Sequence, residues 1–366
     1  MAQTAAARVK INTLGDSAAI DAAFPGHTFT EKDFQLKDNA GDIKIDTNFA
    51  SQSFWKDVRI RFFRKKSAVF GLVMIVLIVI LAVVGPGMND YTYSGQTLSQ
   101  KNMAPRVPVI ENLGILDGDE TMSTSTGSKV VNVYQEKGLD DVYYWFGSDN
   151  FGRDIWTRTW DGARVSLIIA VAAAVIDMVI GMSYGLISGY FGGKVDMVMQ
   201  RFLEVANGIP RLVICTLLLL VLKPGILTIV FALMLTEWVG MSRIARAEML
   251  KLKEQEFVLA SRTLGAGSFF IIFREVLPNI IGPIITQVMF SIPTAIFTEA
   301  FLSFVGLGIP VPQCSLGSLI NESYNSITTH SFQIIPPIVV MVLLMLSFNL
   351  VADGLREALD PKMKSM

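Results

Sequence analysis

An all-α membrane protein with six transmembrane helices and one long extracellular loop is the fold class this sequence predicts, on three observations. Of its 366 residues, 51% are hydrophobic and only 17% are charged, whereas soluble domains run near a quarter charged. The apolar residues gather in blocks of roughly 20, the length of helix that crosses a bilayer. Lysine and arginine fall on one side of those blocks, as the positive-inside rule requires. This composition argues against an ordinary soluble enzyme, a disordered chain and a disulfide scaffold. A net charge of −1 creates no field for polyanions. Without a basic stripe interleaved with aromatics, nucleic acid is not expected as a partner.

The elements follow in order. Residues 1–50 are polar and read as a loosely ordered tail. Phe54, Trp55, Val58 and Phe62 then share one helical stripe, surrounded by Lys56, Arg59, Arg61, Arg64, Lys65 and Lys66. That pattern suits a helix lying on the membrane surface with its cations at the lipid headgroups. Residues 1–67 are thus expected to be a cytoplasmic tail ending in an interfacial helix. The first apolar run starts only at Ala68, so no cleavable signal peptide is expected and the first span directs insertion.

The spans are expected at Ala68–Gly85, Val165–Ile187, Val205–Leu222, Ile226–Met241, Ile280–Val305 and Ile334–Val351. Gly208 and Pro210 interrupt the third, Glu237 sits in the fourth, and Pro283 and Pro293 lie in the fifth. Membrane helices tolerate such prolines where neighbours satisfy the freed carbonyls. Segments 51–67, 188–204, 243–279 and the stretch after 351 hold 17 Lys and Arg, while the short loops opposite hold only Lys223. Both termini are therefore expected in the cytoplasm, with 353–366 as a C-terminal tail. The long loop 86–163 falls outside and carries eleven acidic residues against six basic ones.

Near the end of that loop, Gly147, Gly152 and Gly162 permit turns, while Asp149, Arg153, Asp154, Arg158, Asp161 and Arg164 alternate in sign. Asp149-x-Phe151-x-Arg153 fails the calcium-loop pattern, so no metal site is expected. The segment reads as a hydrogen-bonded cap on the outer helix ends, as a dock for an extracellular solute-binding protein, or as part of a vestibule.

The loop at 251–278, KLKEQEFVLASRTLGAGSFFIIFREVLP, is too amphipathic for a passive connector. Phe257, Ala260, Ser261 and Leu264 recur at the spacing of one helix face. Glu254 and Glu256 stand near its start, where the helix dipole favours anions. Gly265, followed by Ala266, is placed to end it in the left-handed conformation. Gly267-Ser268 starts a second short helix with Ser268 as N-cap. The exposed small residues Ala260 and Ser261 permit close approach of another protein, as when a helix docks in a groove. A plain connector between spans remains the alternative.

Asp177, Glu237 and Glu299 lie in or near spans, where a charge costs about 2.5–3.5 kcal/mol and marks function by default. Asp177 and Glu299 are expected to face the bundle interior, as translocation-pathway groups contacting cargo or as helix–helix hydrogen bonds. Gly181, Ser183 and Gly185 suit close helix packing. No nucleotide-binding G-x-x-x-x-G-K-[ST] and no nucleophile–base pair occurs, so no catalytic residue is expected. Two histidines and two distant cysteines, Cys215 and Cys314, offer neither a metal centre nor a bridge.

The loop 251–278 resembles the EAA loop of bacterial ABC importer permeases. Ala260, Gly265, Leu277 and Pro278 keep its register, while Leu259, Ser261 and Glu275 depart from it. EFVLASRTLGA is similar to the variant of the dipeptide and oligopeptide (DppC/OppC-like) permeases. The stretches Phe146–Leu167 and Thr298–Ser323 also resemble that subfamily. The resemblance covers roughly residues 51–360, outside most of the long loop. It implies a type I importer permease core of MetI-like fold over 164–352, with Glu254, Glu256, Phe257, Ala260, Ser261, Leu264, Gly265 and Ala266 coupling to an ATPase. It further implies a bacterial inner-membrane complex with a homologous (OppB/DppB-like) permease, two ABC ATPases that bind the ATP and magnesium, and an extracellular peptide-binding protein. Cargo from dipeptides to oligopeptides, peptide antibiotics or nickel chelates remains open. An ion- or proton-coupled secondary peptide transporter acting alone is the alternative function.

Overall fold

In the computed structural model, residues 54–359 are described, except 125–126 and the side chains of 121–129. The N-terminal tail, the first residues of the interfacial segment and the last residues of the C-terminal tail lie outside the described residues. Among the described residues the spans are helical, while the segment between the first two spans is mostly irregular and holds one hairpin. The helices are α1 (Phe54–Arg64), α2 (Lys66–Val84), α3 (Val133–Lys137), α4 (Ile155–Phe191), α5 (Gly193–Gly208), α6 (Arg211–Leu222), α7 (Ile226–Leu252), α8 (Glu256–Thr263), α9 (Ser268–Leu307), α10 (Leu316–Tyr324) and α11 (Ile335–Leu359). Among the described residues, five helices are long and apolar enough to cross a membrane, or six if the bent pair α5–α6 is counted as one span.

The expected all-helical membrane fold is therefore observed, with four corrections. First, α4 begins at Ile155, ten residues before the expected Val165, because Asp154 caps it by accepting from the Thr157 N–H at 2.8 Å. The outer loop is correspondingly shorter, and the bundle continues through Leu359. Second, the third span is broken. Residues 193–208 and 211–222 are separate helices meeting at 75°, because Pro210 cannot donate a main-chain hydrogen bond and restricts its predecessor Ile209 to extended backbone. Third, the second short helix of the 251–278 loop is the start of α9, and Gly267, not Ser268, is its N-cap. Fourth, the outer loop contains a two-stranded antiparallel hairpin, β1 (Asp119–Thr124) with β2 (Gly127–Asn132), in the register Asp119 opposite Asn132.

The main core joins α2, α4, α6, α7, α9 and α11 through residues such as Ile78, Ile169, Leu219, Leu233, Ile296 and Leu344. A second cluster lies at the end of the bundle that carries α8. There Leu186, Met241, Ala245, Met249, Val258, Ile272 and Ile280 pack together. The expected stripe of α1 divides: Val58 and Phe62 are buried against Ala68, Val351 and Leu359, while Phe54 and Trp55 stay exposed. Lys65 Nζ bonds Glu357 Oε1 at 2.5 Å and ties α1 to α11.

Candidate functional site

The site is built around α8. Gln255 N-caps the helix, Glu256 occupies its first turn, and Leu264 follows its last turn. Gly265 has φ +83°, a left-handed conformation that glycine adopts without steric cost. Its N–H donates to the Arg262 carbonyl at 3.0 Å, and the Ala266 N–H donates to that of Ser261 at 3.0 Å. These bonds close the helix end as the glycine pattern predicts. Glu254 lies before the helix rather than in it.

Burial sorts the residues of α8 into two faces. Val258 is completely buried in the cluster shared with α4, α7 and α9. Phe257, Ala260 and Leu264 are exposed, Leu264 at 88%, and Ser261 is half-buried. The helix is thus pinned by one apolar side chain and presents the Phe257–Ala260–Leu264 stripe outward. The sequence reading missed Val258, whose anchoring role depends on how α4, α7 and α9 pack around it.

A rigid brace stands behind α8. Gly181, Gly185 and Gly189 form a stripe at four-residue steps along α4, and each abuts α7. A Cβ at Gly181 would stand 2.5 Å from the Trp238 carbonyl oxygen, and one at Gly189 would stand 2.8 Å from the Met249 Cβ. Close packing is as expected, but the stripe runs through Gly189 and leaves Ser183 aside, since residues four apart share a helix face. Beside it, Arg246 on α7 grips Asp196 on α5 through both carboxylate oxygens, each bond 2.6 Å. Ser188 Oγ also donates to Asp196, at 2.5 Å, and Lys253 Nζ donates to the Gly189 carbonyl at 3.3 Å. Together these fix α4, α5 and α7 around the base of α8.

The intramembrane carboxylates are placed inside the bundle. Glu299 is fully buried and accepts from Ser166 Oγ at 3.0 Å and Ser303 Oγ at 2.7 Å. It therefore joins α4 to α9 near the start of α10. Asp177 opens a π-helical turn, Asp177–Gly181, within α4. Its Oδ2 accepts from Ser291 Oγ of α9.

At the opposite end of α4, the charges of 146–164 condense into a buried network. Asp149 Oδ2 accepts from Arg153 Nε and from Arg158 Nη1, both at 2.6 Å. Both arginines also reach Glu322 of α10, at 2.5 and 2.8 Å. The pairing leaves the four groups electrically neutral and straps α10 across the mouth of the bundle. Glu322 was not singled out from the sequence, because no local pattern links it to residues more than 160 positions away.

The family model described as binding-protein-dependent transport system inner membrane component matches residues 181–365, and that of the N-terminal transmembrane domain of oligopeptide transport permease C matches residues 53–105. The chain is 40% identical over 327 residues to the oligopeptide transport system permease protein OppC of Bacillus subtilis (strain 168), covering 89% of this chain and 95% of that one. It is 38% identical over 315 residues to the dipeptide transport system permease protein DppC of the same organism, covering 86% and 88%. Against OppC of Escherichia coli (strain K12) it is 33% identical over 311 residues, covering 85% and 92%. Among solved structures, an inward-facing form of the MetNI methionine ABC transporter matches with a TM-score of 0.48 and 17% identity, over 56% of this chain and 96% of that one. The chain belongs to the family of binding-protein-dependent transport system inner membrane components, and to the oligopeptide and dipeptide permeases within it.

Proposed function

We propose that this chain is one permease subunit of an ATP-driven importer for peptides, with α8 as the handle by which an ATPase subunit drives it. The observation that carries this reading is the division of α8: Val258 is buried in the bundle, and the Phe257–Ala260–Leu264 stripe is bare. A helix pinned from behind and apolar in front suits a partner's groove. Glu254, Glu256, Ser261, Gly265 and Ala266 border that stripe and complete the contact. The peptide cargo follows from the relatives, which are named as oligopeptide and dipeptide permeases.

The complex comprises this chain, a homologous permease, two ATPases that hold the ATP and magnesium, and an external peptide-binding protein. It sits in the bacterial inner membrane with both termini and α8 in the cytoplasm. ATP-driven movement of the ATPases displaces α8. The glycine-packed α4–α7 pair carries the displacement as a rigid body, switching access between two states.

Purification of the tagged chain in mild detergent tests the assembly. Two ATPases and a second permease copurify, and the reconstituted complex takes up peptide only with ATP. Uptake by the chain alone under a proton gradient would overturn the reading in favour of a secondary transporter.

A further inference from the structure

A charged cluster inside the membrane-spanning region stands apart from α8. Asp177 opens the π-turn of α4, Arg211 opens α6 just beyond the break, and Glu237 fills the joint between the two helical stretches of α7. Gly181 lies one turn past Asp177 and packs against the main chain of Trp238, the residue after Glu237. That contact brings Asp177 within about one helical turn of the level of Glu237. Arg211 Nη1 donates to Glu237 Oε1 at 2.8 Å. Asp177 is only 2% exposed, yet its Oδ1 has no hydrogen-bond partner among the described residues.

The charges do not balance. Among the described residues, Glu237 pairs with Arg211 and Asp177 pairs with no cation. Two carboxylates thus face one guanidinium, and one buried carboxylate oxygen lacks a donor. A buried charge in this position is costly unless a cation or a proton joins it.

The surroundings show where a cation would come from. Asn207, Gly208, Ile209, Pro210 and Arg211 are all exposed at the break, and the Arg211 side chain is 41% exposed. A 75° bend with uncovered main-chain groups does not face lipid hydrocarbon. Neither does a bare guanidinium. This surface therefore lines a watery path or a protein contact, and the Asp177–Glu237 cluster sits behind it.

The geometry points to Asp177, Glu237 and Arg211 as a binding site for the α-ammonium group of a peptide in transit. The inference rests on the reading of the chain as a peptide importer's permease. An ammonium brings three donors and one positive charge, which supply the partner of Asp177 Oδ1 and balance the second carboxylate. Arg211 keeps outward N–H groups for the cargo's main-chain oxygens. Such a site recognises the end of a peptide rather than its side chains, which suits cargo of varied sequence.

The test uses the whole importer in proteoliposomes, with its binding protein saturating. Initial uptake is measured for a tripeptide and for its desamino analogue, which lacks only the ammonium. The binding protein is the same throughout, so a change in the ratio of the two rates on substitution belongs to the permease. The wild type carries the free-amino peptide faster. Asp177→Asn and Glu237→Gln each shrink that preference by about tenfold, the size of one lost charge-assisted hydrogen bond, and Asp177→Glu keeps it. Equal loss for both peptides would overturn the proposal, since it marks a packing role. So would uptake of both peptides that requires sodium or potassium and loses that requirement in Asp177→Asn, since the site then serves an inorganic ion. Failure of the wild type to carry either peptide would overturn the peptide reading and this site with it, whereas an unaltered preference in the variants would overturn the site alone.

Discussion

A side chain on Gly185 would run into the main-chain carbonyl of Ser242 and come within 2.8 Å of the Ala245 Cβ. This contact, midway along the Gly181–Gly185–Gly189 stripe, makes α4 and α7 one body behind α8. Gly185→Ala is expected to cost about 1–3 kcal/mol, the usual penalty for overpacking. Gly240 meets nothing within 4 Å, so Gly240→Ala gains helix propensity of up to about 1 kcal/mol. Thermal unfolding of the purified protein in detergent checks both, and the two variants should move the midpoint in opposite directions.

Gly265 has open space around it but a φ of +83°. Gly265→Val fits sterically beyond its own main chain, yet forces a β-branched residue into the left-handed region at a cost of about 1–2 kcal/mol. The end of α8 then turns away from its present direction. The expected outcome is peptide uptake reduced several-fold while the bundle still folds, with ATP hydrolysis uncoupled from transport or the ATPase lost. Uptake at the wild-type rate would remove Gly265 from the coupling role.

Arg158 is 1% exposed and bonds both Asp149 and Glu322. Arg158→Met alone leaves those carboxylates short of a cation and is expected to destabilise by about 3–5 kcal/mol. Adding Glu322→Leu restores neutrality, because Asp149 and Arg153 remain paired. The double variant should therefore be more stable than Arg158→Met, as measured by detergent-phase melting.

Asp154 combines a cap with a buried charge. Burial pushes its carboxyl above the ordinary value, opposed by hydrogen bonds from Thr157 and Asn89. A carboxyl held high in the fold contributes stability below its unfolded value of about 4, and loses it as pH rises through the folded value. All the side-chain and cap bonds fall on Oδ2, and Oδ1 has no partner among the described residues. Asp154→Asn keeps an acceptor for the cap and removes the charge. Its melting temperature should rise relative to the wild type as pH increases from about 4 to 7, whereas Asp154→Ala should follow the same trend about 1 kcal/mol of capping below Asp154→Asn at every pH.

Features set by local chemistry were legible in the sequence, and those set by distant partners were not. Six apolar blocks announced the spans, because hydrocarbon demands long apolar helices. Gly265 announced its own turn, because a left-handed residue favours glycine. Gly208 and Pro210 marked trouble in the third span, but the 75° bend depends on how α5 and α6 each pack. The start of α4 was missed because Asp154 looked like one of several alternating charges, although an Asp with Thr three residues later is a cap in form. Val258, Glu322 and Arg211 carried no local signal. Each acquires its role from packing against other helices, as Arg211 does from Glu237.

The docking of α8 is tested most directly by disulfide or maleimide cross-linking from engineered cysteines in the assembled importer. Ala260→Cys, on the bare face, should cross-link to an ATPase subunit and lose reactivity toward a water-soluble maleimide once the ATPases are bound. Val258→Cys, on the buried face, should do neither. Equal labelling of Ala260→Cys with and without the ATPases, and no cross-link at any stage of the nucleotide cycle, would contradict the account.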